Sequence, residues 1–393
     1  MEDIIIFSYN EKSSVLLVFF FNAMVFSYLL LKRGLDENQK HSLWLAAFIL
    51  LGSWYICPFM LGYAGWYSED GYREFMFFVP FQQLFLIGPV FFFYIKTLLN
   101  KDFKLNRRDF IHFLPAIIYM VYSIIVFVGD MLIFDAFYFY ADGEDKDLDF
   151  WYQMTGLLSM LYYLINGLVY YWNYRKISVE EVSFADEIAF KWIKYFTIAF
   201  GLILVLRVLF FILNPEWGEF GSKYWYYLCF SILLMYISIT GYSNTVKTSM
   251  RFDANDLEKL EPIRADENIG SKNEPENTLI LDEWNNKITK LFEKENIYEN
   301  PNLTLSQIAT LLHTNRNIIS KVINQKFKMN FNDFVNEKRA EAVIQKLQNG
   351  EHLKNTLLSI AMDCGFNSKT TFNRAFKKHT ALTPKQYILK NKL

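Results

Sequence analysis

Two runs of basic and amide side chains near the C-terminus have the spacing of helix faces. Arg316, Asn317, Lys321 and Asn324 form the first, and Lys369, Thr370, Asn373, Arg374 and Lys377 form the second, about fifty residues later. Residues three and four apart share one side of a helix, so each run aims several donors in one direction. Guanidinium and ammonium groups suit phosphate oxygens and the acceptor edge of guanine, while an Asn amide matches adenine. The chemistry on offer is recognition of a polyanion with readable base edges rather than bond making.

The surrounding sequence supplies elements that position these faces. Thr304 is placed to cap a helix whose Leu305, Ile308, Ala309 and Leu312 share one side. His313 to Asn315 make a turn, and a second helix runs from Arg316 to about Gln325, burying Ile318, Ile319, Val322 and Ile323. A connecting helix, Phe331 to Leu347, ends near Asn349 and Gly350 as a helix C-terminus should. The pattern then repeats: Thr356 caps Leu357 to Asp363, Gly365 and Phe366 turn, and Ser368 caps a helix through Lys378 with Phe372 and Phe376 inward. One helix pair of this kind is easily mimicked, whereas two joined by a single helix are far more restrictive.

These residues resemble the DNA-binding domain of the AraC/XylS family of transcription regulators. NLTLSQIATLL (302–312), RNIISKVIN (316–324), FVNEKRAEAV (334–343), SIAMDCGF (359–366) and SKTTFNRAFKKHTALTPKQY (368–387) carry the resemblance, over less than a quarter of the chain. It implies two recognition helices entering successive major-groove segments on one DNA face. By position it implies base contacts from Asn317 and Lys321, with Arg316 beside them, and from Lys369, Thr370, Asn373 and Arg374. Lys377 and Lys378 become phosphate contacts, and Arg339 a support of the fold. The sequence departs from the family pattern at Ala381, where glycine is usual, at Ile388, where arginine is common, and at His313, which replaces a small turn residue.

The rest of the chain is of another kind. Hydrophobic residues make up 52% and aromatics 19%, too apolar for an ordinary soluble domain, yet 21% charged residues is too many for a chain wholly inside a bilayer. The two populations are segregated. From Pro301 onward 15 Lys and Arg face 5 Asp and Glu, whereas residues 251 to 300 carry 7 against 13. A basic terminal module behind an acidic stretch suits a phosphate-bearing partner. Three cysteines, Cys57, Cys229 and Cys364, offer neither a disulfide framework nor metal-ligand spacing.

A membrane span needs roughly 20 apolar residues of helix. Seven segments are read as spans, at about 13–31, 43–63, 75–99, 110–134, 151–172, 190–213 and 224–242, with Pro58, Pro80 and Pro89 expected to kink the second and third. Tryptophan and tyrosine crowd their ends. Twelve Lys and Arg follow the first, third and fifth spans, and four (Lys12, Arg73, Lys146 and Lys223) lie on the other side. This bias predicts an N-terminus outside and a tail in the cytoplasm of a cell whose inner membrane the chain crosses. The fold expected is all-α: a seven-helix transmembrane bundle over 1–245, a linker over 246–278 with a short helix at Asn255–Leu260, and a DNA-binding domain over 279–393. Leu279, Trp284, Ile288, Leu291 and Phe292 recur at helical spacing ahead of that domain, serving either docking on it or pairing with a second copy.

Inside the spans Arg207 and Asp130 are the candidates for receiving a signal, paired with each other or with an anionic ligand; a snorkelling arginine is the plainer alternative. The acidic and aromatic loop from Asp135 to Asp149 reads as a solvated loop with an interfacial aromatic cluster, a cap over a ligand cup being the alternative. No HExxH, Walker loop, GxSxG or Cys/His cluster occurs, so no catalysis, cofactor or metal is expected. The expected partners are double-stranded promoter DNA, the lipid bilayer, a signal of unknown chemistry and a second copy of the chain. The whole reads as a one-component regulator in a membrane. A transporter or membrane enzyme with a DNA-binding reporter tail, and a passive tether of a DNA locus, remain the alternatives.

Overall fold

The computed structural model describes residues 9–100, 103–134, 136–141, 143, 145–183, 190–213, 222–247 and 274–393. The short helix expected at Asn255–Leu260 and most of the linker lie outside these residues. Fifteen α-helices and no strand occur among them, with one isolated antiparallel bridge between Val182 and Thr304. The chain divides into two compact units, Met1–Tyr171 with Lys191–Ala254, and Trp172–Phe190 with Asn255–Leu393.

The first unit contains α1 (Glu11–Asp36), α2 (Lys40–Tyr63), α3 (Asp70–Phe78), α4 (Leu84–Leu99), α5 (Leu114–Val128), most of α6 (Phe150–Glu181), α7 (Phe190–Val208) and α8 (Lys223–Lys247). The Asn10 side chain caps α1, accepting from the Ser13 amide at 3.0 Å. Close packing of α4 on α6 rests on missing side chains: a Cβ on Gly88 would lie 2.6 Å from the Tyr163 ring, and one on Gly156 2.6 Å from Leu84. Among the described residues five stretches are long and apolar enough to cross a membrane: Glu11–Asp36, Lys40–Tyr63, Arg107–Ile133, Trp192–Leu213 and Lys223–Asn244. Much of their surface is exposed aliphatic and aromatic, as in Val18, Phe21 and Val25 of α1 and Ile117, Val121 and Ile124 of α5. Apolar surface of that extent is compatible with membrane insertion.

The seven expected spans are thus not clearly seven. The third is broken rather than kinked, because Pro80 lacks an N–H and disfavours helix at Val79, which is extended. Only the 16 residues of α4 continue beyond the break. The fifth lies within a 32-residue helix but is rich in Tyr, Trp, Asn and Gln. By contrast α2 runs unbroken through Pro58, and α4 through Pro89.

The second unit holds α9 (Glu274–Lys294), α10 (Leu305–Leu311), α11 (Arg316–Val322), α12 (Phe331–Gln348), α13 (Leu357–Asp363), α14 (Lys369–Thr380) and α15 (Pro384–Asn391). The end of α6 from Trp172 also belongs to it. α12 serves two cores. Its Phe331, Phe334 and Val335 pack with Ile308, Ile319 and Val322, while its Ala340, Val343 and Leu347 pack with Ile360, Phe372 and Phe376. Leu281, Ile288, Leu291 and Phe292 of α9 join the first core, so docking on the domain accounts for that helix's apolar face. Cys364 is buried in the second core.

Candidate nucleic-acid interface

Each helix pair is set up by local chemistry. Thr304 caps α10, and its hydroxyl accepts from the Gln307 amide at 3.2 Å while the Gln307 side chain accepts from the Thr304 amide at 3.0 Å. His313 takes φ 51° in the following turn, and the Asn315 side chain caps α11 through the Asn317 amide. The helix begun by α11 closes in a π-turn over Ile323–Phe327. In the second pair Thr356 caps α13, Gly365 turns at φ 90°, and Ser368 caps α14. Gly365 is obligatory on two counts, since a Cβ there would sit 2.3 Å from the Tyr298 carbonyl oxygen.

The expected recognition faces reach the surface. Asn317, Lys369, Thr370, Asn373, Arg374, Lys377 and Lys378 are exposed, and Arg316 and Lys321 are half-buried. Lys378 turns towards α12, with its Nζ 2.7 Å from an Asp333 carboxylate oxygen. A cleft of about 750 Å³ runs between the pairs, lined by Asn324 and Lys328 on one side and by Arg374 and Lys378 on the other. The α14 helix ends at Ala381 with φ 61°, the left-handed stop at which glycine is usual. Burial and the nearby Arg175 guanidinium lower the pKa of Arg374.

Arg339 is 1% exposed and holds the domain together. It donates to the carbonyls of Tyr298 at 2.8 Å and Asn300 at 2.7 Å, and to the Ser183 hydroxyl at 3.1 Å. Ser183 is the part the sequence did not reveal. It and its neighbours at the end of α6 are bound into the domain: the Ser183 amide donates to Leu303 O at 3.1 Å, and Asn332 and Asn336 donate to the carbonyls of Val182 and Ser183. Glu181, 5% exposed, accepts from the Ser306 amide at 3.2 Å and from the Ser306 hydroxyl, and lies 3.6 Å from Arg316 Nη1. Burial raises the pKa of its carboxyl, opposed by Ser306 and Arg316. The one hint in sequence is the pair Glu180–Glu181 just beyond the basic Arg175–Lys176.

In the first unit the two residues singled out for sensing do not meet. Asp130 is fully buried, and its carboxylate accepts from the backbone amides of Tyr138, Phe139 and Tyr140, at 2.9 Å for Phe139. It fastens its own loop. Arg207 is 4% exposed rather than snorkelling, and donates to the Tyr55 hydroxyl at 3.0 Å and to the Gln153 side chain at 2.5 Å. From Gln153 the chain of bonds runs to Gln82 Oε1 at 2.8 Å, and the Gln82 amide donates to Asp147 at 2.9 Å. Asp147 also accepts from Tyr119, and Asp145 from Tyr67 at 2.8 Å. The loop expected to be solvated therefore buries two carboxyls, whose pKa values burial pushes up, with Asp147 adding to the rise at Asp145 and Asp149 to that at Asp147. Asp135, Asp142 and Glu144 lie outside the described residues.

None of the curated proteins and none of the solved structures matches the chain. Residues 308–390 match a family model described as a helix-turn-helix domain. With two capped helix pairs on one connecting helix, this C-terminal region is an AraC-type DNA-binding domain, a module of transcription regulation.

Proposed function

We propose that the chain is a membrane-anchored, one-component transcription regulator that reads a promoter through both helix-turn-helix units under the control of a signal received by the apolar half. The observation that carries the reading is the pairing, in one chain, of an AraC-type domain with five stretches of membrane-spanning length among the described residues. The Lys and Arg bias supports a cytoplasmic DNA-binding domain, on the side where DNA is found. Base readout is assigned to Asn317, Lys321, Lys369, Thr370, Asn373 and Arg374, and phosphate contact to Arg316, Lys377 and Lys378. Signal reception is assigned to the buried polar chain from Arg207 through Gln153 and Gln82 to Asp147, because polar groups among apolar helices are costly and commonly mark a functional site. Asp130 keeps a supporting part by holding the adjoining loop. No catalytic step, cofactor or metal is assigned, and a second copy of the chain is the proposed oligomeric partner.

The test is genome-wide occupancy of the tagged full-length protein against a variant with Asn317→Ala, Lys321→Ala, Asn373→Ala and Arg374→Ala. Discrete peaks lost in the variant support the reading. Absence of peaks under many growth conditions, with normal membrane insertion, refutes it. Exchanging the apolar half for an unrelated anchor separates regulation from tethering, since only tethering survives the exchange.

A further inference from the structure

We infer that Glu181, at the end of α6, is a built-in competitor of DNA that holds Arg316 and so withholds the first helix-turn-helix unit. The inference rests on the DNA-binding reading of that unit. Arg316 opens α11, the first recognition helix, and is only 23% exposed in its side chain because the Glu181 carboxylate faces it. One carboxylate oxygen takes the Ser306 amide and hydroxyl, and the other faces the guanidinium. A carboxylate that gathers an amide, a hydroxyl and a guanidinium occupies the donors that a DNA phosphate oxygen takes.

The anchoring of the neighbouring residues makes this a device rather than a chance contact. Val182 and Ser183 are held independently by Leu303, Asn332, Asn336 and Arg339, so the domain keeps its attachment when Glu181 leaves. Release needs only the last turn of α6 to shift. The raised carboxyl pKa shows that burial costs the ionised group more than Ser306 and Arg316 return, so Glu181 is a poor choice for stability alone. The same helix end brings Arg175 near Arg374 of α14, where like charges repel.

The experiment uses full-length protein in lipid nanodiscs and a pool of random-sequence 30-base-pair duplexes, followed by titration of the most enriched duplex over a range of KCl. Glu181→Gln is expected to tighten binding by about tenfold, and the log K against log salt plot to steepen by about one as Arg316 gains a phosphate. Glu180→Gln removes the same charge next door and is expected to change neither. Glu181→Asp retracts the carboxylate by one methylene and is expected to give a smaller gain, which covers the case in which the Gln variant fails to fold. In an Arg316→Ala background the gain disappears. Unchanged affinity and salt slope in both Glu181 variants, or a gain that persists without Arg316, overturns the inference while DNA binding stands. Failure of every variant to enrich any duplex overturns the DNA-binding reading and the competitor with it.

Discussion

The two helix-turn-helix units share a plan and differ in their surroundings. Each opens with a Thr-capped helix of seven residues, and each turns through a residue of positive φ. The first turns on His313 and ends its recognition helix in a π-turn, with Glu181 against Arg316. The second turns on Gly365 and continues into a twelve-residue recognition helix whose polar face is exposed. Local sequence makes the units alike, and a segment distant in sequence makes them unequal: Glu181 engages the first residue of one recognition helix, while the polar face of the other is exposed.

Breaking the second unit has the largest expected effect. Gly365→Ala sets a Cβ against the Tyr298 carbonyl at a φ that L residues avoid, and is expected to cost at least about 3 kcal/mol. Thermal melting of the protein checks it; a loss below about 1 kcal/mol would mean the turn relaxes to accept a side chain. Next come the recognition residues. Asn373→Ala and Arg374→Ala are each expected to weaken specific binding by about 1–3 kcal/mol, measured by titration with the selected duplex. Asn317→Ala and Lys321→Ala are expected to cost less in the parent and as much in a Glu181→Gln background. Equal costs in the parent would erase the distinction between the units.

A pH series sharpens the same contrast more gently. The raised carboxyl pKa of Glu181 means that its contribution to stability is present below the ordinary value of 4.5 and is lost as pH rises through the folded value. The parent is therefore expected to gain stability on acidification relative to Glu181→Gln; melting curves that shift in parallel for both chains would contradict this. The smallest effect is at the end of the second unit. Ala381→Gly relieves a left-handed residue and is expected to add about 1 kcal/mol, read from the same melts.

What could be read from sequence was the local part. Thr304, Thr356 and Ser368 cap where their spacing to the apolar positions requires, because capping involves residues three apart. Ala381 and His313 stood out as unusual turn residues and both have positive φ. α9 and its docking face were legible in period but not in destination. Pro80 was seen, yet a break and a kink have the same sequence signature; what stabilises the break is Asp147 and Tyr152, about 70 residues away, which bond to the freed groups of Gln82 and Leu84. The pairing of Arg207 with Asp130 followed from depth alone, and depth cannot say that Asp130 is already satisfied by three amides. Glu181 escaped notice because its partners lie more than a hundred residues downstream.

The dependence of Arg339, Asn332 and Asn336 on Val182 and Ser183 bears on how the protein is made. The ribosome delivers the acceptors first and the donors last, with α7 and α8 between them. The DNA-binding domain is thus finished only when its final helices return to a segment synthesised long before. A chain in which that return failed would leave a buried guanidinium and two amides short of acceptors, each at a cost of about 1–3 kcal/mol.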